Sequence, residues 1–402
     1  MSSKLEFLSK NSLSSWLFAL YLVFLPISTA IAGALVSVSI ISLLGIIYIG
    51  VSVFEMIKND DMEIDRSIIP IMLYFVYMIA SCLWGLVFNF DWYFQQFCLT
   101  VAIIVCTSMR RMTDEKIKLY KMAIYLSIIV AIISAAVNIP EKGHRLLIRF
   151  SSIMDPNDFA NGLAILSALF FDNILKKKQM ILNAGLIGVV AFLIYCTGSR
   201  GGLLTLLVVA FIFILNIRGI EKYRILIVLG GLIVGFLLLA ESGIDPKILG
   251  RFSLSNLLKG GGAGRSLIWE AAIKSFVASD PIRILFGNGH GSFGAAVKYV
   301  AIGHGDTYIS HNMYINALIE GGVVGLALMI GGFVSLFRYT IKAKNPLGMM
   351  ALAGFLTEGI SLDAQVYRTF AIAVVLVFLV KNDKALKCDI LVNQIGGRKD
   401  AV

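Results

Sequence analysis

The chain has 402 residues, of which 58% are hydrophobic and 15% charged, with a mean hydropathy of +0.85 and a formal net charge of +10. Apolar runs recur from Trp16 to Val380, and a membrane-spanning helix needs about 20 such residues, so a soluble globular protein is excluded. The stretch Ser15–Ile57 is about twice the length of one span and lacks an A-x-A cleavage signature, which argues against a cleaved signal peptide.

In chain order, the hydropathy pattern predicts about twelve spans, near 15–32, 34–56, 67–88, 92–109, 120–138, 160–175, 180–197, 202–217, 225–241, 312–337, 346–362 and 366–380. The expectation is one integral membrane domain over 1–402. With the N-terminus inside, the inner segments hold Lys4, Lys10, Lys58, Arg66, Arg110, Arg111, Lys176–Lys178, Arg218, Arg338, Lys342 and the basic tail. The short outer turns hold only Arg200 and Arg368, as the positive-inside rule requires. The basic balance is thus a topology signal and does not call for nucleic acid.

Five cysteines, Cys82, Cys98, Cys106, Cys196 and Cys388, fall in or beside spans or in the inner tail, so no disulfide framework is expected. No CxxC or His-rich spacing suggests a metal, and no cofactor is expected.

Two outer loops stand apart. The first, Pro140–Phe159, holds His144, Arg145, Arg149 and a turn-like DPND at 155–158. The three basic residues can hold an anion or be a solvated loop. The second, 241–311, is far longer than an ordinary connection and reads as an outer, largely helical loop before span 10. Glycines at 260–264 predict a hinge. Arg265–Ser279 then reads as an amphipathic helix with Leu267, Ile268, Ala271, Ala272 and Val277 apolar, stopping at Asp280–Pro281. GHGSFG at 289–294 matches GxGxxG, but no strand precedes it, so a glycine-rich turn is the expectation. GGGAGRS at 260–266 lacks the GK[ST] of a phosphate-binding loop.

Three residues at span mouths carry the chemistry. Arg200, in TGSRGG, sits where an arginine near membrane depth is costly and tends to mark a site, a snorkelling anchor being the plainer alternative. Arg265 opens the amphipathic helix, where guanidinium and helix end both attract phosphate oxygens; alone, it is equally an ordinary solvated charge. His311 opens the tenth span, immediately after Ser310, where the positive helix end favours the neutral imidazole. Such a group can take a proton from a sugar hydroxyl, or simply hydrogen-bond lipid headgroups. Asp363 and Arg368, in LDAQVYR, line the last outer turn, as an ion pair or as groups that orient His311. His290 and His304 rank below His311.

Together these residues resemble the O-antigen ligase and polymerase superfamily of bacterial membrane glycosyltransferases. The likeness covers most of the chain in span layout and in the long loop. It is most specific at TGSRGGLL around Arg200, at GRSLIWEAAIKSF after Arg265, and at HNMYINALIEGGVVG. In the last, His311 and Asn312 are followed by nine residues, Gly322, two residues and Gly325, which fits the ligase-branch pattern H-[NSQ]-x9-G-x-x-[GTY]. Asp363 falls where the family has a functional aspartate. The resemblance implies a GT-C-like all-helical fold and metal-independent, inverting glycan transfer on the periplasmic face of the bacterial inner membrane. Its donor would be an undecaprenyl-diphosphate-linked glycan and its acceptor a lipid A-core sugar. Arg200 and Arg265 would hold the diphosphate and His311 would be the base, with Asn312, Asp363, Arg368, Arg145 and Arg149 in support. The nearest alternative is a polymerase joining lipid-linked repeat units. A lipid-linked sugar transporter is the weaker one, since Asp172 and Glu358, the few charges within spans, are read as nearer the ends than the midplane.

Overall fold

The computed structural model describes residues 11–31, 40–59, 64–87, 92–110, 112–141, 143–220, 249–253, 265–297, 310–364 and 368–379, with isolated positions between 222 and 238. Among the described residues there are helices and no strand. In chain order they are α1 Leu13–Phe24, α2 Ile40–Asn59, α3 Ile69–Ser81, α4 Trp92–Ser108, α5 Asp114–Val137, α6 Pro156–Leu166, α7 Ala168–Leu175, α8 Met180–Thr197, α9 Arg200–Leu215, α10 Arg265–Val277, α11 Pro281–Phe286, α12 Phe293–Ala296, α13 Met313–Lys342, α14 Pro346–Ser361 and α15 Thr369–Phe378.

Among the described residues, six helical stretches are long and apolar enough to cross a membrane: 40–59, 66–84, 114–137, 156–175, 180–197 and 313–342. Shorter apolar helices cover 13–27, 94–108, 200–215 and 369–378. The chain is an all-helical, multi-pass membrane protein. Its surface agrees: Phe54, Ile133 and Ile181 point outward from α2, α5 and α8, where lipid tails are as apolar as they are. Most of the expected ninth span and the loop stretches 241–248, 254–264 and 298–309, which include the 260–264 hinge and His304, lie outside the described residues.

Local sequence explains where several helices begin. Thr113 caps α5 by accepting from Lys116 N–H, with Asp114 and Glu115 in the first turn. Asn345 caps α14 by accepting from Gly348 N–H, with Pro346 at the first position. Asp155 does the same for α6, accepting from Asn157 N–H at 2.7 Å ahead of Pro156. The expected DPND turn is therefore a helix start, and the sixth span begins at Pro156 rather than 160. It breaks at Ser167, whose hydroxyl donates to Ala164 O at 2.6 Å.

α6 and α7 form the middle of the molecule, 83% buried along their best membrane-crossing window. α9 packs on both α6 and α14, α13 on α3 and α14, and α15 on α14 and α4. Gly202 makes the α6–α9 approach feasible, because a Cβ there would overlap Ala160. Thr205 Oγ1 donates to Asn161 Oδ1 at 2.7 Å across the same contact. At the opposite end of the bundle Arg110 lies 3.0 Å from Glu55 and donates to Ser14, which ties α1 and α2 to the end of α4.

Candidate functional site

The starts of α6, α9 and α13 and the end of α14 meet at one end of the bundle. Ser199 Oγ donates to Asn157 Oδ1 at 2.8 Å, joining α9 to α6. Met313 N–H donates to Leu362 O at 3.1 Å, joining α13 to α14. This end gathers most of the expected site residues and two that were not expected.

The first group is built on the turn between α8 and α9. Gly198 ends α8 in the left-handed region at φ 60°, and Ser199 caps α9 by accepting from Gly202 N–H. Arg200 is the first residue of α9 rather than part of a longer turn. Its Nε donates to Arg251 O at 2.6 Å. Arg251, in the short 3-10 helix Leu249–Phe252, donates in turn from Nε to Gly198 O at 3.1 Å. Arg145 donates from Nε to Thr197 O at 2.6 Å. Three half-buried guanidiniums thus converge on residues 197–200. Each spends Nε–H on a backbone carbonyl, an arrangement that fixes the fork without using all its donors.

That convergence is electrostatically costly. Burial and the neighbouring Arg251 push the Arg145 pKa down, against a smaller opposing pull from Asp155. Nη2 of Arg145 is buried with no hydrogen-bond partner, a loss of about 1–3 kcal/mol for an ordinary buried donor. An anion of two phosphates would satisfy these donors and relieve the like-charge repulsion.

The second group is built on the turn before α13. His311 does not open the helix; it lies just outside, in the left-handed region at φ 49°, an uncommon conformation for a residue with a Cβ. Asn312 is the cap. Its Oδ1 accepts from Tyr314 and Ile315 N–H, both at 3.0 Å, and its Nδ2 donates to Ile360 O at 3.3 Å. Ser310 Oγ accepts from Asn312 N–H at 3.0 Å and donates to Asn312 O at 2.7 Å. Trp269 of α10 donates to Ser310 O at 2.9 Å. The backbone around the histidine is therefore held from several sides, while Nδ1 of the imidazole is buried with no hydrogen-bond partner.

Arg265, the first residue of α10, stands near this imidazole. Burial first, and then the Arg265 charge, push the His311 pKa down; the carboxylate of Asp155 pulls it part of the way back. The same Asp155 acts on Arg145, so one carboxylate relates the histidine group to the arginine group.

The remaining expected residues are placed as follows. α10 forms where the amphipathic helix was predicted; Ile268 and Ala272 are buried, whereas Leu267 and Val277 are exposed. Arg149 is exposed, and its backbone N–H rather than its guanidinium is engaged, donating to Asn138 Oδ1 at 3.0 Å. Asp363 is fully buried, and its charge acts on Tyr74 of α3. Arg368 is buried and donates from Nη2 to Ser42 Oγ at 3.0 Å and Gln96 Oε1 at 3.2 Å. GHGSFG forms a glycine turn, with Gly289 and Gly291 at positive φ.

Sequence reasoning missed Arg251 and Asp155. Arg251 lies in a long loop with no periodic pattern, and only its position in GRFS beside a glycine hints at a backbone-contacting role. Asp155 was legible as an N-cap from Asp-Pro, but spacing alone does not bring 155 to 311.

Residues 179–330 match the family model Wzy_C, O-antigen ligase. The matched stretch contains Arg200, Arg251, Arg265 and His311 and runs into α13. No curated protein matches the chain significantly.

Proposed function

We propose that this chain, whose residues 179–330 match the O-antigen ligase family model, belongs to that superfamily and transfers a glycan from undecaprenyl diphosphate to a sugar hydroxyl. The family makes it a membrane enzyme of the ligase or polymerase type that handles lipid-linked glycans. The finer reading is a ligase, acting at the periplasmic face of the inner membrane on a lipid A-core acceptor. In it, the about twelve-span layout and the 241–311 loop set that face.

The observation that carries the reading is an anion-seeking cluster at the same end of the bundle as a half-buried imidazole whose Nδ1 has no hydrogen-bond partner. Arg145, Arg200 and Arg251 converge on one turn, and the Arg265 charge acts on His311. In the proposed reaction the guanidiniums bind the diphosphate and take up the negative charge that grows as the glycosidic C–O bond breaks, so the step needs no metal. His311, kept neutral by burial and by Arg265, accepts the proton of the acceptor hydroxyl. That oxygen attacks the anomeric carbon opposite the leaving diphosphate, and the configuration inverts. Asn312 supports the base by fixing the turn it stands on.

The test is a gel of envelope glycans from a strain lacking the protein, complemented with wild type, Arg265→Ala or His311→Ala. Long glycan retained on the lipid carrier over bare core, in the deletion and in both variants, is the expected result. Chains cut to single repeats would replace the ligase by a polymerase with the same chemistry. A normal ladder in the His311→Ala strain would remove the histidine as base.

A further inference from the structure

Two residues that the proposed chemistry leaves unused, His290 and Glu320, lie in contact and are both buried. His290 Nδ1 lies 3.1 Å from Glu320 Oε2, with the side chains 0% and 2% exposed. Taking an imidazole and a carboxyl group out of water is costly, and an apolar replacement is often as stable, so stability alone is a poor reason to keep such a pair.

The pair sits where α13 breaks. Gly322 has φ 67° and ψ −168°, outside helical geometry. The carbonyls just before the break are taken by groups from elsewhere. Asn288 donates to Ile319 O from N–H at 3.1 Å and from Nδ2 at 2.9 Å; Gly289 N–H donates to Glu320 O at 2.9 Å; Tyr77 donates to Gly321 O at 2.8 Å. Gly287 and Gly322 both have positive φ, and a Cβ on either would overlap backbone across the contact.

The strap 286–293 is fastened as well to the end of α3, through His290 N–H to Ser81 Oγ at 3.0 Å, and to the segment that follows it, through Leu86 N–H to Asn288 O at 2.9 Å. The His290 ring lies 4.5 Å from that of Phe97. Glu320 Oε1 accepts from Phe293 N–H at 3.3 Å, so both carboxylate oxygens face the strap.

Between the break and His311 runs only Met313–Gly321, a rod of about 13 Å. Its far end is held by Asn312, Leu362 and Trp269 as described. α10, which begins with Arg265, rests on the same floor: Ile268 and Ala272 pack with Phe293 and Ile319. Arg265 and His311 thus stand on two pieces joined through the strap.

We propose that Glu320, through His290 and the 286–293 strap, is a positioning residue for the transfer reaction. It fixes the rod that carries His311 relative to Arg265, so that base and leaving-group cation meet one donor together. This rests on the roles given to His311 and Arg265 above.

Glu320→Gln keeps the shape and an oxygen for the Phe293 hydrogen bond but removes the carboxyl group that faces His290. The donor for the assay is lipid-linked glycan extracted from the deletion strain, and undecaprenyl diphosphate is the inhibitor probe. Glu320→Gln is expected to lower kcat by about 10- to 100-fold, the scale of an ångström-level misplacement. The KM for donor and the inhibition constant should move less than about twofold, because diphosphate binding is left intact. His290→Gln should show the same loss and the double variant no further loss, as residues acting as a unit do; if Glu320→Gln fails to fold, His290→Gln alone carries the test. Wild-type kcat per folded molecule, with only the thermal unfolding temperature lowered, overturns the proposal. A raised KM at unchanged kcat overturns it too. His311→Ala run alongside separates the levels: if it turns over, the base assignment falls and takes this role with it. If it is inactive while Glu320→Gln is normal, only the positioning role falls.

Discussion

Two tight turns at the same end of the bundle are built in opposite ways. In the 197–200 turn the side chains are tied down: Arg145, Arg200 and Arg251 each donate Nε–H to a main-chain carbonyl. In the 310–312 turn the backbone is tied down, by Asn312, Ser310 and Trp269, and the imidazole Nδ1 is left without a partner. The difference follows from what each must do. A guanidinium that grips phosphate benefits from a fixed fork, since each frozen torsion is conformational entropy not lost on binding. A base must exchange a proton, so its ring nitrogens cannot all be committed beforehand.

If that contrast is right, the largest effect belongs to the histidine. His311→Ala should lower kcat by about 10²–10⁴, the range for losing a positioned general base. Binding of undecaprenyl diphosphate should persist, because every arginine stays in place. Loss of binding together with turnover would mean that the two turns are not separable.

Next come the tied side chains. Arg200→Lys and Arg251→Lys retain the charge but lose the planar fork and the Nε–H that anchors it. Each should cost about 10²-fold in kcat/KM, the scale of one lost electrostatic donor. Wild-type kcat/KM in Arg251→Lys would show that the third guanidinium only props the turn.

How much of this was legible depended on whether the signal was local. Helices such as α8 were found at their true ends because hydropathy alone sets them. Arg200 and Arg265 stood out because charge is rare among apolar residues. The path of α13 was less legible: Gly321-Gly322 gave no sign that a break there would be filled by Gly287 and Asn288. Asp363 and Arg368 follow the same logic. Their spacing placed them at the last turn, but burial against Tyr74, Ser42 and Gln96 is set by the packing of α15 on α4 and of α13 on α3. Asp155 was hidden for that reason too, since its effect on His311 crosses elements far apart in sequence.

The smallest effects are shifts of pH dependence, and their signs are opposed. The kcat/KM profile reports the free enzyme, in which a neutral His311 is active and its protonation makes the acid limb. Arg265 lowers the His311 pKa, so Arg265→Gln should raise it and move the acid limb to higher pH, beyond any loss in donor binding. Asp155 raises that pKa, so Asp155→Asn should move the limb to lower pH and leave the rate at neutral pH nearly unchanged. Asparagine caps a helix about as well as aspartate, so α6 should keep its start and the change should report charge alone. Limbs that move the same way in both variants would mean that the titrating group is not the imidazole between them.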